Sequence, residues 1–175
     1  MLKPNRSKSV TGKTLQLDRL NRRILSELQN DARVTNAELA QRVGLSPSAC
    51  LKRVQALEAT GCIRGYLMWA NLDALTVNVQ AYFLVWLDDT KLETTTRFEA
   101  FIQPLSNVID CMRLGGEPDY IAYLACSDVP ELTRLHDAFL AADIGVQRIN
   151  MRVVMGQSKW FGGYPLDTLT WKTQV

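Results

Sequence analysis

The chain has 175 residues, of which 47% are hydrophobic, and a formal net charge of +2. This length allows one good core or two small ones, and the hydrophobic fraction excludes wholesale disorder. The sequence has no apolar run long enough to cross a bilayer and no secretory signal in its first residues, MLKPNRSKSVTGK, so we expect a cytoplasmic protein with no membrane partner.

The two halves of the chain carry opposite charge. Residues 1–66 contain 12 Lys and Arg against 5 Asp and Glu, a net +7, and residues 67–175 contain 8 against 13, a net −5. This asymmetry favours a polyanion-binding half joined to an acidic half with another task.

The first segment, residues 1–16, is predicted to be a flexible basic arm. It contains Lys3, Arg6, Lys8 and Lys13 without any acidic residue. Two interpretations stay open, an arm that follows the phosphates or enters a minor groove of DNA, and an ordinary solvated tail.

Three helices are predicted between residues 17 and 61. The first has apolar residues at helical spacing, namely Leu17, Leu20, Ile24, Leu25 and Leu28. Thr35 and Glu38 form a capping box for the second helix, which Gly44 ends. Ser46 caps the third helix, and Pro47 occupies its first position.

The last two helices are joined by a turn of about three residues, which is typical of a helix-turn-helix whose second helix enters the DNA major groove. Small hydroxyls at Ser46 and Ser48 allow the positive end of this helix to approach DNA closely. Lys52 lies one turn further on the same face, and Arg53 is directed towards the flanking backbone. The alternative is that the serines only cap and the cations are solvated. Ile63 to Met68 is predicted to form a short strand or wing.

The second half is predicted to follow the order β-α-β-β-α-β, a split βαβ layout. The strands are 77–87, 108–114, 120–126 and 146–155, and the helices are 94–102 and 129–140. Two helices cover one face of such a sheet. Alternation in the first strand predicts that the other face is apolar, with Val79, Tyr82 or Phe83, Val85 and Leu87, and that it pairs in a two-fold dimer.

The segment GGEPD, between the second and third strands, is a candidate ligand loop. The N–H groups of Gly115 and Gly116 could hold a carboxylate, and Asp119 could pair with an ammonium group, which together would bind an amino acid. The alternative is a tight turn chosen for conformation alone.

Residues 17–66, LDRLNRRILSELQNDARVTNAELAQRVGLSPSACLKRVQALEATGCIRGY, resemble the Lrp/AsnC (leucine-responsive, feast/famine) family of transcriptional regulators, and the resemblance continues through GGEPDYIAYL in a βαββαβ half. It implies an α+β protein with an N-terminal winged helix-turn-helix and a C-terminal ferredoxin-like effector and dimerisation domain. The implied boundaries are 1–16 (arm), 17–66 (DNA-binding domain), 67–76 (linker), 77–158 (ligand-binding and oligomerisation domain) and 159–175 (C-terminal tail).

The resemblance implies double-stranded DNA and a small-molecule effector, an amino acid or a related metabolite, as partners, and a homodimer that assembles further into tetramers or octamers. The residues it assigns to DNA binding, with two flanking arginines, are Ser46, Pro47, Ser48, Ala49, Lys52, Arg53, Arg22 and Arg42. Those it assigns to the effector are Leu114, Gly115, Gly116, Glu117, Asp119 and Tyr120.

Three features depart from the family pattern. Asn21 replaces the usual acid in the first helix, a change from which we expect little effect. Residues 141–146, AADIGV, replace the usual proline-glycine turn, which leaves the identity of the effector open. The tail SKWFGGYPLDTLTW is longer than expected, and it can pack on its own chain or contact a neighbouring subunit.

Two other functions remain as alternatives. Some relatives with the same two-part architecture are tetrapyrrole decarboxylases, but the acidic second half and the single histidine, His136, do not fit a pocket for several carboxylates. A low-specificity architectural DNA-binding protein is the other alternative. We predict no enzyme and no cofactor, because the sequence shows no acid–base pair or nucleophile motif. We predict no metal, because Cys50, Cys62, Cys111 and Cys126 have no metal-ligand spacing.

Overall fold

The computed structural model describes residues 15–175, which form two compact units. The helical unit contains the described residues up to Met68 together with Phe161–Val175, and the sheet unit contains Trp69–Trp160. Most of the predicted basic arm, including Lys3, Arg6, Lys8 and Lys13, lies outside the described residues.

The helical unit contains α1 (Arg19–Asn30), α2 (Asn36–Val43) and α3 (Pro47–Ala59). Each begins at a side chain that accepts a hydrogen bond from an otherwise unpaired N–H group, namely Asp18, Thr35 and Ser46. Thr35 and Glu38 form the predicted capping box. Gly44, with φ of +74°, ends α2 in the left-handed conformation that glycine accepts at little cost.

The core of the helical unit is built from apolar residues of all three helices. Its buried members are Leu17, Ile24, Leu39, Ala40, Val43, Cys50 and Leu57. One polar side chain is buried beside them, because Asn21 is only 2% exposed. The side-chain amide nitrogen of Asn21 donates to the Gln16 carbonyl at 2.7 Å. Asn21 therefore contributes more to the fold than the sequence analysis expected.

Residues at the end of the helical domain differ from the prediction. Residues 64–70 form no strand, so the short strand expected for Ile63 to Met68 is wrong. A strand requires a hydrogen-bonded neighbour, and none of the described residues provides one for this segment.

The sheet unit contains α4 (Leu72–Leu75), β1 (Val79–Leu87), α5 (Leu92–Ile102), β2 (Val108–Arg113), β3 (Tyr120–Cys126), α6 (Val129–Ala141) and β4 (Val146–Val153). The strands form one antiparallel sheet in the order β2-β3-β1-β4. After α4, a four-residue helix that the sequence did not predict, the unit has the predicted βαββαβ order.

The assignment of Val79, Val85 and Leu87 to the uncovered face of β1 is wrong, and of the alternatives Tyr82 and Phe83 it is Tyr82 that lies on that face. Ala81, Phe83, Val85 and Leu87 are buried in the core, where Phe83 makes an edge-on contact with Phe139 of α6 at 5.6 Å between ring centroids. The uncovered face therefore carries Gln80, Tyr82, Leu84 and Trp86, because side chains alternate along a strand.

The uncovered face continues onto the neighbouring strands. Tyr82 stacks on Tyr123 of β3, with centroids 5.0 Å apart, and the guanidinium group of Arg148 on β4 lies 3.8 Å from the Trp86 ring centroid. Leu84 lies opposite Ile121, which in turn pairs with Met112. The result is a mixed face with aromatic and aliphatic groups at its centre and arginines along β4.

Two features are absent from residues 15–175. Each helix in this range is too short or too polar to cross a lipid bilayer. The same residues contain no group of three or more His, Cys, Asp or Glu side chains placed to hold a metal ion.

Candidate nucleic-acid interface and ligand loop

The cap and the first two turns of α3 place four of the predicted DNA-binding residues at the surface. Ser46, Pro47, Ser48 and Lys52 are exposed, and we refer to them as the recognition face. The Ser46 Oγ accepts a hydrogen bond from the Ala49 N–H at 3.3 Å and lies 3.3 Å from the Ser48 Oγ. Ala49 itself is half-buried and lies behind this face.

Lys52 is the cation of the recognition face. The structure shows no hydrogen bond or ion pair between its ammonium group and any residue in 15–175. A free ammonium group one turn beyond the positive end of a helix can bind a phosphate or the acceptor atoms of guanine.

Contacts between helices hold the first turn of α3 in place. The Asn36 side chain, at the first position of α2, donates to the Pro47 carbonyl oxygen at 2.8 Å. The angle between the two helices is thus fixed by a hydrogen bond at their junction as well as by the core. The sequence analysis did not identify this contact, because asparagine at a helix start resembles an ordinary cap residue.

Arg53 joins α3 to the start of α1. Its guanidinium group forms an ion pair with Asp18 at 2.8 Å and donates to the Oδ1 of Asn21 at 2.9 Å. Partial burial raises the pKa of Asp18, but hydrogen bonds from the Asn21 N–H and from Arg53 outweigh burial and lower this pKa below its ordinary value. The carboxylate therefore stays charged and keeps Arg53 in place.

The two flanking arginines also make contacts within the helical unit. The Nε of Arg22 donates to the Leu17 carbonyl at 2.9 Å, and its guanidinium carbon lies 5.5 Å from the Trp171 ring centroid. Arg42 forms ion pairs with Glu27 at 3.6 Å and Asp31 at 3.5 Å. The structure thus gives Arg22, Arg42 and Arg53 structural partners and leaves Lys52 available.

The loop between β2 and β3 contains the predicted effector residues, and two of them belong to the fold. The Oδ2 of Asp119 accepts a hydrogen bond from the Leu87 N–H at 2.8 Å at the end of β1. Tyr120 is 2% exposed, and its hydroxyl donates to Glu99 of α5 at 2.8 Å. Burial and this hydrogen bond to a carboxylate raise the pKa of Tyr120 well above its ordinary value.

The other four predicted effector residues lie at the surface of the same loop. Leu114, Gly115, Gly116 and Glu117 are exposed, and Gly116 adopts φ of +136°, a conformation that favours glycine. The Glu117 carboxylate accepts a long hydrogen bond of 3.4 Å from the Trp86 indole. This segment can therefore approach a ligand, whereas Asp119 and Tyr120 are engaged elsewhere.

A separate cavity of about 410 Å³ lies on the uncovered face of the sheet. Its lining includes the stacked pair Tyr82 and Tyr123, together with Asp110, Met112 and Lys159. None of the six predicted effector residues lines it.

Two family models match this chain. Residues 17–64 match a winged helix-turn-helix DNA-binding domain, and residues 80–161 match the Lrp/AsnC ligand binding domain. The first match lies within the helical unit. The second match lies within the sheet unit except for its last residue, 161, which belongs to the helical unit.

Relatives of this chain are regulators of the same type. The leucine-responsive regulatory protein of Escherichia coli (strain K12) is 35% identical over 153 residues, which cover 87% of this chain and 92% of that protein. The transcriptional regulatory protein DoeX of Halomonas elongata is 34% identical over 134 residues, covering 77% and 85%.

Solved structures agree with these matches. A transcriptional regulator from Neisseria meningitidis, solved as a complex with L-methionine, superposes with a TM-score of 0.76 at 31% identity, covering 86% of this chain and 97% of that one. An AsnC family transcriptional regulator from Agrobacterium tumefaciens superposes with a TM-score of 0.75 at 27% identity, covering 87% and 99%.

Proposed function

Because this chain belongs to the Lrp/AsnC family of transcriptional regulators, we propose that its recognition face binds specific DNA sequences and that an amino acid or a related small metabolite modulates this binding. The observation that carries the proposal is the exposed start of α3, where Ser46 and Ser48 lie at the positive end of the helix and Lys52 lies one turn further. The relatives are transcriptional regulators, and we assign the chain no catalytic step.

The DNA contacts divide by what each side chain is free to do. Ser46 and Ser48 can donate hydroxyl protons to phosphates, and Lys52 can read base edges in the major groove. Arg42 and Arg53 join the helices to one another, and Arg22 contacts Leu17 and Trp171. Each guanidinium group has five N–H donors, so these arginines retain donors for flanking phosphates.

The proposal requires a homodimer, because one half-site contact alone is weak. The uncovered face of the sheet supports this, since it exposes Tyr82 at 37% and Met112 at 53% around half-buried Leu84 and Ile121. A second copy would bury this face by a two-fold axis and present two recognition faces to successive major grooves, about 34 Å apart. Further assembly into tetramers or octamers belongs to the same proposal.

The effector is proposed to bind the exposed part of the loop between β2 and β3. The solved relative from Neisseria meningitidis carries L-methionine, which supports an amino acid as the class of ligand here. The N–H groups of Gly115 and Gly116 can hold its carboxylate, and the exposed Glu117 can meet its ammonium group. The effector changes DNA binding only if it binds two assemblies or conformations unequally.

We assign the protein to the cytoplasm. Competition binding tests the DNA part of the proposal. Fluorescence anisotropy compares a duplex from upstream of the protein's own gene with a scrambled duplex of equal length, at several salt concentrations. We expect a preference of about 10³-fold or more at fixed salt. Equal affinity for both duplexes, with the same salt dependence, would instead indicate an architectural protein.

A thermal-shift screen with the twenty amino acids tests the effector part, because a ligand that binds only the folded state raises the melting temperature. We expect a rise with at least one amino acid, and its loss in a Glu117→Ala variant. An unchanged melting temperature with all twenty contradicts an amino-acid effector. Consumption of the bound amino acid would contradict the assignment as a non-enzyme.

A further inference from the structure

The C-terminal segment, residues 161–175, belongs to the helical unit although almost a hundred residues of sheet unit separate the two in the sequence. The chain therefore leaves the helical unit after Met68 and returns to it at Phe161. Neither family model matches beyond residue 161, so this segment has no function assigned by the comparisons.

The last residues of the segment pair with the residues that precede α1. Leu15 and Val175 exchange two backbone hydrogen bonds of 2.7 and 3.0 Å, and the Leu17 N–H donates to the Thr173 carbonyl at 2.9 Å. Gln16 and Gln174 form an antiparallel bridge between these bonds. The entry to α1 is therefore half of a short two-stranded ribbon whose other half comes from the C-terminal segment.

A glutamine on α1 holds the middle of the segment. The Gln29 side-chain nitrogen donates to the Tyr164 carbonyl at 2.8 Å, and its oxygen accepts from the Tyr164 N–H at 2.9 Å. One amide thus satisfies both backbone groups of one residue. Gly163 makes this approach possible, because a Cβ at that position would lie 2.7 Å from the Gln29 side chain.

Trp171 anchors the segment in the core of the helical unit. Its ring packs against the cluster that contains Ile24, Cys50 and Leu57, and its indole N–H donates to the Leu166 carbonyl at 3.0 Å. The guanidinium group of Arg22 lies over the same ring. A half-buried tryptophan is a large apolar contribution for a unit with so small a core.

A continuous set of contacts links this segment to the recognition helix. The ribbon holds Gln16, whose carbonyl accepts from the Asn21 side chain at 2.7 Å, and the Asn21 oxygen accepts from Arg53 of α3 at 2.9 Å. Asn21 is buried and makes both contacts at once. One buried side chain thus joins the ribbon to Arg53 of α3.

We infer that residues 161–175 are a functional part of the DNA-reading unit, with Trp171 and Gln29 as positioning residues that set the orientation of α3 through Gln16, Asn21 and Arg53. This inference rests on the proposed DNA binding of the recognition face. It also means that two stretches of chain, one before β1 and one after β4, connect the helical unit to the sheet unit.

Two single variants of the full chain test the inference against a matched control. Trp171→Ala removes the anchor, and Gln29→Ala removes both hydrogen bonds to Tyr164 while placing a better helix former on α1. Leu169→Ala is the control, because this side chain is 53% exposed in the same segment. We expect roughly tenfold weaker binding to the preferred duplex for each test variant, and wild-type binding for the control.

The readout that separates positioning from simple unfolding is amide hydrogen exchange. Both test variants should lose protection at residues 15–21 while helix content and oligomer size stay those of the wild type. If Trp171→Ala fails to fold, Gln29→Ala gives the answer alone. Loss of protection at residues 15–21 with unchanged DNA affinity overturns the inference.

A disulfide provides the complementary test, in which a covalent bond restores DNA affinity. Gln16 and Gln174 lie opposite each other between hydrogen-bonded positions, where Cα atoms are about 4.5 Å apart, a distance that a disulfide spans. The double variant Gln16→Cys with Gln174→Cys should oxidise within one chain and, when combined with Gln29→Ala, restore wild-type DNA affinity. A covalent dimer on a non-reducing gel would show that the segment packs on another subunit and overturn the inference.

The failure of this inference differs from the failure of the proposed function. If the wild-type protein has no preference for any duplex, the proposed function is wrong. If the wild type shows a preference and both test variants bind as it does, only the role of residues 161–175 is wrong.

Discussion

The recognition face and the loop between β2 and β3 illustrate two ways in which polar residues serve a fold. On the recognition face, the fold uses one lone pair of Ser46 and leaves Ser48 and Lys52 exposed. In the loop, the fold uses the carboxylate of Asp119 to complete β1 and buries Tyr120 in the core.

Residue type alone therefore does not separate a ligand contact from a structural one. Arg53 and Lys52 are adjacent cations on one helix, yet Arg53 is held by Asp18 and Asn21, and Lys52 has no ionic partner among the described residues. A side chain free of structural partners is the better candidate for binding, and paired substitutions can test this rule at both sites.

The largest effect is expected at the two cations. Lys52→Ala should weaken DNA binding by about 1–3 kcal/mol without changing the free energy of unfolding. Arg53→Ala should lower DNA affinity and also destabilise the protein by about 1–3 kcal/mol, because buried Asn21 loses a partner. Anisotropy and urea denaturation measure the two quantities, with Lys91→Ala on the sheet unit as the control. Equal loss of stability in both variants would contradict the distinction.

The loop provides the next test. Asp119→Ala should lower the free energy of unfolding by about 1–3 kcal/mol, since the Leu87 N–H loses its acceptor in a partly buried place. Glu117→Ala, two residues away and exposed, should leave stability unchanged and reduce effector affinity. Denaturation and calorimetric titration of each variant check this. A stable Asp119→Ala protein would show that the hydrogen bond to Leu87 is dispensable.

A smaller effect is expected at Tyr120. Tyr120→Phe removes only the hydroxyl that donates to Glu99, so stability should fall by about 0.5–1.5 kcal/mol. Effector affinity should stay the same because the ring is buried. Titration of the effector that the thermal-shift screen identifies provides the check, and a large loss of affinity would return Tyr120 to the effector site.

The smallest effect is a pH dependence of the helical unit. The pKa of Asp18 is lower in the folded protein than its ordinary value, so its stabilising contribution is present above about pH 4 and is lost as the pH falls through the folded pKa. Asp18→Asn should therefore be less stable than the wild type at neutral pH, and the difference should shrink as the pH falls through the lowered pKa of Asp18. A difference that is constant with pH would exclude the ion pair with Arg53 as its source.

Local signals made most elements predictable. The helix starts at Thr35 and Ser46 were predicted from the sequence, because each cap bonds to a backbone group within three residues. The strands β1 to β4 and the helices α5 and α6 lie within a few residues of their predicted ranges, because runs of apolar residues and helical spacing are local patterns as well. The four-residue helix α4 escaped, since it is too short to show a helical period.

The assignment of the β1 faces could not come from alternation. The strand VQAYFLVWL has apolar residues at both odd and even positions, so a period of two fits either face. Phe83 lies inside because α6 presents Phe139 to it, and that contact spans more than fifty residues of sequence.

The partners of Arg53 and Gln29 could not be predicted from the sequence for a similar reason. Arg53 meets Asp18 across 35 residues, and Gln29 meets Tyr164 across 135. Such contacts leave no periodic signal. The sequence therefore predicted the position of α3 correctly and left open which of its cations the fold would engage.

The ribbon between Leu15 and Val175 has a practical consequence for anyone who labels this protein. A fluorescent reporter or affinity tag attached after Val175 would emerge beside residue 15, at the foot of α1. Such a fusion would crowd the segment that we infer orients α3, and its measured DNA affinity would understate that of the untagged chain. A label inserted in the exposed turn at residues 103–104 belongs to the sheet unit and leaves the backbone hydrogen bonds of the ribbon intact.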